Sequence, residues 1–410
     1  MDATAIRAAG PPAKGGGGRL PLLDVLRGVA ILGTLGTNVW IFASPGGEAA
    51  VLTSATAFSP IVPALADPGV GTVLEAVARS AANGKFLALL TVLFGVGLAI
   101  QFRSAERHGR RWPGTYVWRA LFLFVEGTVH FVLVFAFDVL MGYAVVALLT
   151  AWLLARSERV RSVVLWTSAA VHVLLMGAAT AVLVAQSEPA PPPDPDGANG
   201  VPEEFVRLYA EGSYLDQVAL RLSEFAVFRL EPVISFALLL FLFLLGVRLF
   251  RAGAFGDDAA GRRIRARMLA WGLGLGLPLN AATTLAGPAL ALADRYVAAP
   301  LVAVGLMGLV GWLLDRTRRP GPVVGALSAL GRAALSGYVL QNVVCMLVCY
   351  GFGLGLAARM MGTGPWWVFA LWTGVSLSLL VGASLWLRRF PHGPLEAVQK
   401  WTLARLPGGR

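Results

Sequence analysis

The 410-residue chain is 57% hydrophobic and only 14% charged, with a mean hydropathy of +0.69. Soluble proteins carry about 25% charged residues, so the composition excludes a soluble enzyme or binding module and indicates an all-α integral membrane protein. The net charge of +11 does not indicate nucleic acid, because the basic residues sit in alternate short loops and form no patch with interleaved aromatics.

Residues 1–19 are rich in Gly, Pro and Ala, with Arg7, Lys14 and Arg19, and read as a flexible cytoplasmic tail. The first apolar stretch, 20–43, can span a ~30 Å hydrocarbon core, which takes about 20 residues. It is too long and too interrupted by charge for a cleavable signal. It carries Asp24, Arg27, Thr34 and Asn38. At ~100° per residue Arg27 and Asn38 share a face, roughly 16 Å apart along the axis, and Asp24 is one turn before Arg27, within reach of an ion pair. An ionised group inside a span costs on the order of 2.5–3.5 kcal/mol on insertion scales. The stripe is therefore expected to line a cavity; the plainer reading of the pair alone is an interfacial anchor.

Pro45, Pro60, Pro63 and Pro68 make 44–83 an irregular extracytoplasmic loop, in which 56–65 is too short to span but could re-enter over a cavity mouth. A second span, 84–102, is opened by Lys85 and followed by Arg103, Arg107, Arg110, Arg111 and Arg119. The third (120–137) holds Glu126 and His130, and the fourth (138–155) opens on Asp138 and returns to Arg156, Arg159 and Arg161. The fifth (162–185) holds His172, read as a satisfied interior group. Then 186–224 is long, proline-clustered and acidic, and belongs outside. Five more spans follow: 226–250, 268–290, 297–314, 333–356 and 366–387. Ten spans with both termini cytoplasmic place every basic loop inside. The chain thus divides into a tail (1–19), a membrane half (20–185), an outer acidic loop (186–225), a second membrane half (226–390) and a cytoplasmic tail (391–410). No internal repeat is evident, which counts against many inverted-repeat transporter folds.

Few groups can carry chemistry. His130 lies one turn after Glu126, and Asp138 follows at the outer end. Imidazole titrates near neutrality and can take a proton from a hydroxyl or amine, and a carboxylate can fix its tautomer. The alternative is a buried polar cluster tying helices together. Ser336, Tyr338, Gln341 and Asn342 form a second polar set in the ninth span, where amides often serve as interhelical glue worth about 1 kcal/mol. Cys345 and Cys349 share a helix face too far apart for a disulfide and read as packing residues. The glycine run 15–18 lacks a phosphate-loop Lys, GLGLGLP at 272–278 reads as a helix-packing stripe, and no metal-ligand spacing appears.

The motifs LDVLRGVAILGTLGTNVW (23–40), KFLALLTVLFGVGLAIQ (85–101), EGTVHFVLVFAFDVLMGYA (126–144), LGRAALSGYVLQNVVC (330–345) and FPHGPLEAVQKWT (390–402) occur in this order. With them the chain resembles the YeiB-like family of bacterial multi-pass membrane proteins, a domain of unknown function, which implies the inner membrane. Its D-x-x-R-G opening is similar to that of two transmembrane acyltransferase groups, the bacterial O-acetyltransferases of surface sugars and heparan-α-glucosaminide N-acetyltransferase. The first group has a histidine eleven residues after the arginine, where this chain has Asn38. The second resembles this chain in having Asn there, which leaves His130 as the substitute base. The resemblance implies an acyl group moved from cytoplasmic acyl-CoA, a co-substrate, to an acceptor on the far side. His130 would be the base, oriented by Glu126 or Asp138; Asp24, Arg27 and Lys85 would hold the donor, and Asn38, Gln341 or Asn342 the thioester oxygen. Partners are then membrane lipid, the acyl donor and a glycan, lipid or small-molecule acceptor, with homo-oligomers left open. The alternatives are a transporter or flippase in which Glu126 and His130 relay protons, or a structural membrane subunit.

Overall fold

The computed structural model describes residues 21–53, 61, 64, 68–186, 201–317 and 321–406, and all regular structure among them is helical. The tail 1–19, most of the re-entrant stretch 56–65 and the proline cluster at 189–195 lie outside the described residues.

The amino-terminal part comprises α1 (Pro21–Ala43), α2 (Val70–Ala82), α3 (Lys85–Arg107), α4 (Tyr116–Leu133), α5 (Leu140–Leu154) and α6 (Glu158–Gln186). Two short helices, α7 (Glu203–Ala210) and α8 (Tyr214–Ser223), cross the middle of the chain. Then come α9 (Phe236–Arg251), α10 (Ala259–Leu285), α11 (Ala299–Arg316), α12 (Pro322–Arg332), α13 (Ala334–Cys349), α14 (Trp366–Arg389) and α15 (Pro394–Arg405). Among the described residues six stretches are long and apolar enough to cross a membrane, with α2 and α3 counted together, or seven if α12 and α13, bent by 90°, form one broken span. This is a multi-pass membrane protein.

Helix α1 is central and packs against α3, α12, α13 and α14. Glycine makes the approach to α12 possible: a methyl at Gly28 or Gly331 would overlap the carbonyl oxygen of Leu327 or Asp24. The α10–α11 pair is equally close. Gly272 and Gly276 face Gly305 and Val302, so the GLGLGLP stripe is a packing surface. Outward faces are apolar: Leu174 of α6 is 72% exposed and Leu377 of α14 is 56% exposed, as suits contact with lipid.

The two ends differ. One carries the arginine loops. There Arg265 holds Asp315 through Nη2–Oδ1 (2.7 Å) and Nε–Oδ2 (3.2 Å). Glu396 of α15 accepts from the Leu335 amide (2.8 Å) and the Ser336 hydroxyl (2.5 Å), so the expected tail 391–410 contains a helix that caps α13. At the opposite end, Arg221 of α8 grips Glu48 after α1 with Nε–Oε2 2.9 Å and Nη2–Oε1 3.2 Å, and the Tyr209 hydroxyl adds a third bond to Glu48 at 3.3 Å.

Several expected boundaries shift. The loop 44–83 contains α2, and the acidic loop contains α7 and α8. The sixth span does not begin at 226: Phe225–Phe228 and Leu230–Ile234 are separate short helices before α9, because Arg229 and Glu231 turn to polar partners instead of lipid. The ninth stops at Cys349, where the Gly351 amide bonds to Tyr209 O (2.9 Å).

Candidate functional site

The histidine of α4 is fixed by the turn that follows it. Helix α4 ends at Leu133 and α5 starts at Leu140, and Asp138 between them accepts from the amides of Leu140 (2.9 Å) and Met141 (3.2 Å) through Oδ2. This satisfies two orphan amides of α5 and aims Oδ1 at His130 Nδ1, 3.1 Å away. The carboxylate makes Nδ1 an N–H donor, which in the neutral tautomer leaves Nε2 as the acceptor. That nitrogen faces Asn342 Nδ2 of α13 at 3.3 Å. Asn342 Oδ1 in turn accepts from Asn38 Nδ2 of α1 at 3.1 Å. Asp138, His130, Asn342 and Asn38 thus form one line of hydrogen bonds across four elements. The first three are buried at 1%, 2% and 0% exposure, and Asn38 is half-buried.

Asn38 opens onto a cavity of about 1030 Å³. Its floor is Thr34, Thr37, Asn38 and Tyr338, its walls include Trp40, Phe137 and Trp367, and Glu75, Arg79, Glu231 and Arg295 supply charge. The Tyr338 ring meets the edge of His130, with centroids 5.1 Å apart, and so stands between the imidazole and the cavity. His130 is one side chain behind the wall.

The other expected residues divide. Gln341 is fully buried and reaches Thr34 Oγ1 with Nε2 (3.4 Å), while its Oε1 has no hydrogen-bond partner among the described residues. Asp138, not Glu126, orients the histidine; Glu126 Oε2 is likewise buried without a partner among the described residues. Asp24 and Arg27 do pair, at 3.4 Å, but at the arginine-rich end and outside the cavity lining. The buried Ile31 and Leu35 occupy α1 between them and Asn38, so the expected continuous polar stripe is interrupted by packing. Lys85 is also outside this lining. Its ammonium donates to Ser80 O (2.5 Å) and Asn83 O (3.4 Å) and caps the end of α2. His172 is interior as expected but only half satisfied: Nε2 lies 2.9 Å from Tyr296 O, while Nδ1 is buried without a partner among the described residues.

Sequence reasoning missed three contributors. Arg229 donates to Asp138 O (2.9 Å) and to Ala136 O, and lies 4.2 Å over the Phe131 ring, so it holds the His130–Asp138 turn from outside. Arg295 and Glu231 pair in the cavity wall at 2.9 Å. An arginine and a glutamate just before a proline inside an apolar run were a readable signal, since unpaired charges are not left in lipid.

A family model described as a protein of unknown function, DUF418, matches residues 249–405. Over 392 residues the chain is 26% identical to uncharacterized protein YxaH of Bacillus subtilis (strain 168), with 92% of each chain covered. Over 400 residues it is 27% identical to uncharacterized protein YeiB of Escherichia coli (strain K12), covering 94% of this chain and 96% of YeiB. No solved structure matches.

Proposed function

The chain belongs to the YeiB-like family, and from that premise we propose that it is a membrane-embedded acyltransferase whose acceptor binds in the cavity. The observation that carries this reading is the Asp138–His130–Asn342–Asn38 line, which joins a carboxylate-held imidazole to the cavity floor. With the Asn342 amide turned aside, His130 Nε2 takes the proton from an acceptor hydroxyl or amine. The freed oxygen or nitrogen attacks the thioester carbonyl, the C–S bond breaks, and the thiol leaves with a proton. Asn38 and Asn342 donate to the carbonyl oxygen as charge builds there.

In this proposal all ten apolar segments cross the bilayer: the seven stretches above plus α5, α9 and α10. Both termini are then cytoplasmic, the arginine loops face inward, and the cavity faces the cell envelope. Acyl-CoA meets the arginine-rich end, where Arg27 is suited to its phosphates. Ile31 and Leu35 separate that end from Asn38, so transfer requires α1 and its neighbours to part at this level.

Purified protein incubated with radiolabelled acetyl-CoA should bind it and pass label to an envelope extract. His130→Ala should stop transfer while leaving the protein folded, and undetectable CoA affinity would end the proposal. One observation favours a second reading, a carrier. A cavity open toward one end and closed by the packed Ile31 and Leu35 toward the other suits alternating access. Uptake of an unmodified solute into proteoliposomes would favour it.

A further inference from the structure

Two ion pairs stand side by side in the cavity wall, away from the histidine. Arg79 Nη1 lies 3.0 Å from Glu75 Oε1 on α2, and Arg295 Nη2 lies 2.9 Å from Glu231 Oε1. Asn83 joins them. Its amide bonds to Arg79 O (2.9 Å), and its Oδ1 accepts from Arg295 Nη1 (2.7 Å). The pairs also adjoin the cavity floor, because the Thr37 hydroxyl next to Asn38 bonds to Ala82 O (3.2 Å). Among the described residues these four are the charged side chains of the cavity lining, two of each sign. Such a wall favours neither a lone anion nor a lone cation. It complements a group carrying both: guanidinium forks match phosphate oxygens, and the carboxylates they release take an ammonium.

Much of the remaining lining is apolar, and part of it is open to the side. Leu175 lines the cavity and is 44% exposed on α6, beside Leu174 at 72%. Val227 and Leu230, on the short helices before α9, also line it and are 45% and 51% exposed. Exposed leucine and valine at the mouth of a site in a membrane protein belong against acyl chains. The cavity also matches the upper end of the ~300–1,000 Å³ range of small-molecule pockets.

We propose that the cavity receives the headgroup of a zwitterionic phospholipid-type amphiphile, with phosphate on Arg79 and Arg295 and ammonium on Glu75 and Glu231. The chains leave between α6 and the turns at 225–234 into the bilayer. This rests on the reading that the acceptor binds here, and names its class.

The test uses no acyl donor, so it is separate from transfer. Full-length protein is equilibrated in nanodiscs holding equal parts of phosphatidylethanolamine, phosphatidylcholine, phosphatidylglycerol and phosphatidic acid, and retained lipid is measured by mass spectrometry. The zwitterionic lipids should be enriched over the anionic ones. Arg79→Gln or Glu75→Gln, on the partly exposed pair, should reduce enrichment about tenfold for loss of a charge-assisted contact, and Arg79→Lys should keep most of it. Soluble phosphoethanolamine should compete far more weakly than lipid, since burial of the chains supplies most of the affinity. Enrichment of anionic lipid, displacement by inorganic phosphate alone, phosphoethanolamine binding as tightly as lipid, or enrichment unchanged in both Gln variants would overturn the proposal. Selective retention without acetyl transfer would refute the enzyme reading and leave this one standing.

Discussion

At His130 the imidazole is held from both sides, by Asp138 at 3.1 Å and by Asn342 at 3.3 Å, so single-atom changes there are informative. Asp138→Asn removes the carboxylate that fixes the tautomer, and is expected to lower acyl transfer by about 10²-fold or more while leaving donor affinity unchanged in a binding titration. Asn38→Ala, at the cavity floor, should lower turnover with a small effect on thermal stability. A loss of folding without a separable loss of turnover would make the line structural glue. The sequence made His130 and Asp138 legible because an intramembrane histidine near an acid is rare. It did not separate Asp138 from Glu126. The choice depends on the turn after Leu133, which swings Asp138 back onto the helix end, and helical spacing alone cannot express that.

Among the helices, the closest contacts are those that glycine permits. Gly331→Ala would drive a methyl into the Asp24 carbonyl, and overpacking of this kind costs about 1–3 kcal/mol; a lowered thermal midpoint in detergent would show it. The Glu48–Arg221 pair joins α8 to the end of α1 with both side chains fully buried. Arg221→Met should cost about 3–5 kcal/mol, because it strands a buried carboxylate, and the double change Glu48→Leu with Arg221→Met should restore much of the loss. Equal melting of all three proteins would contradict this. The long apolar helices were readable from composition. The amphipathic α2 was hidden behind prolines, and α7 and α8 behind an acidic composition that suggested loop. The break before α9 was hidden because a hydropathy window averages Arg229 and Glu231 into their apolar neighbours.

Across the whole molecule, the arginine-rich end and the cavity lie at opposite ends of α1, with Asp24 and Arg27 at one and Asn38 at the other. The sequence supplied both poles but also suggested one continuous polar chamber. Alignment on a helical wheel cannot reveal that neighbouring helices pack against the stripe between its two ends. The proposal therefore stands on whether chemistry crosses that packed layer. The most direct measurement supplies radiolabelled acetyl-CoA to the arginine-rich side of oriented proteoliposomes and follows label on the opposite face. The expected result is labelled acceptor on the cavity side with wild type and none with His130→Ala. Equal labelling by both proteins, or label that stays in CoA while the protein binds it, would contradict the account.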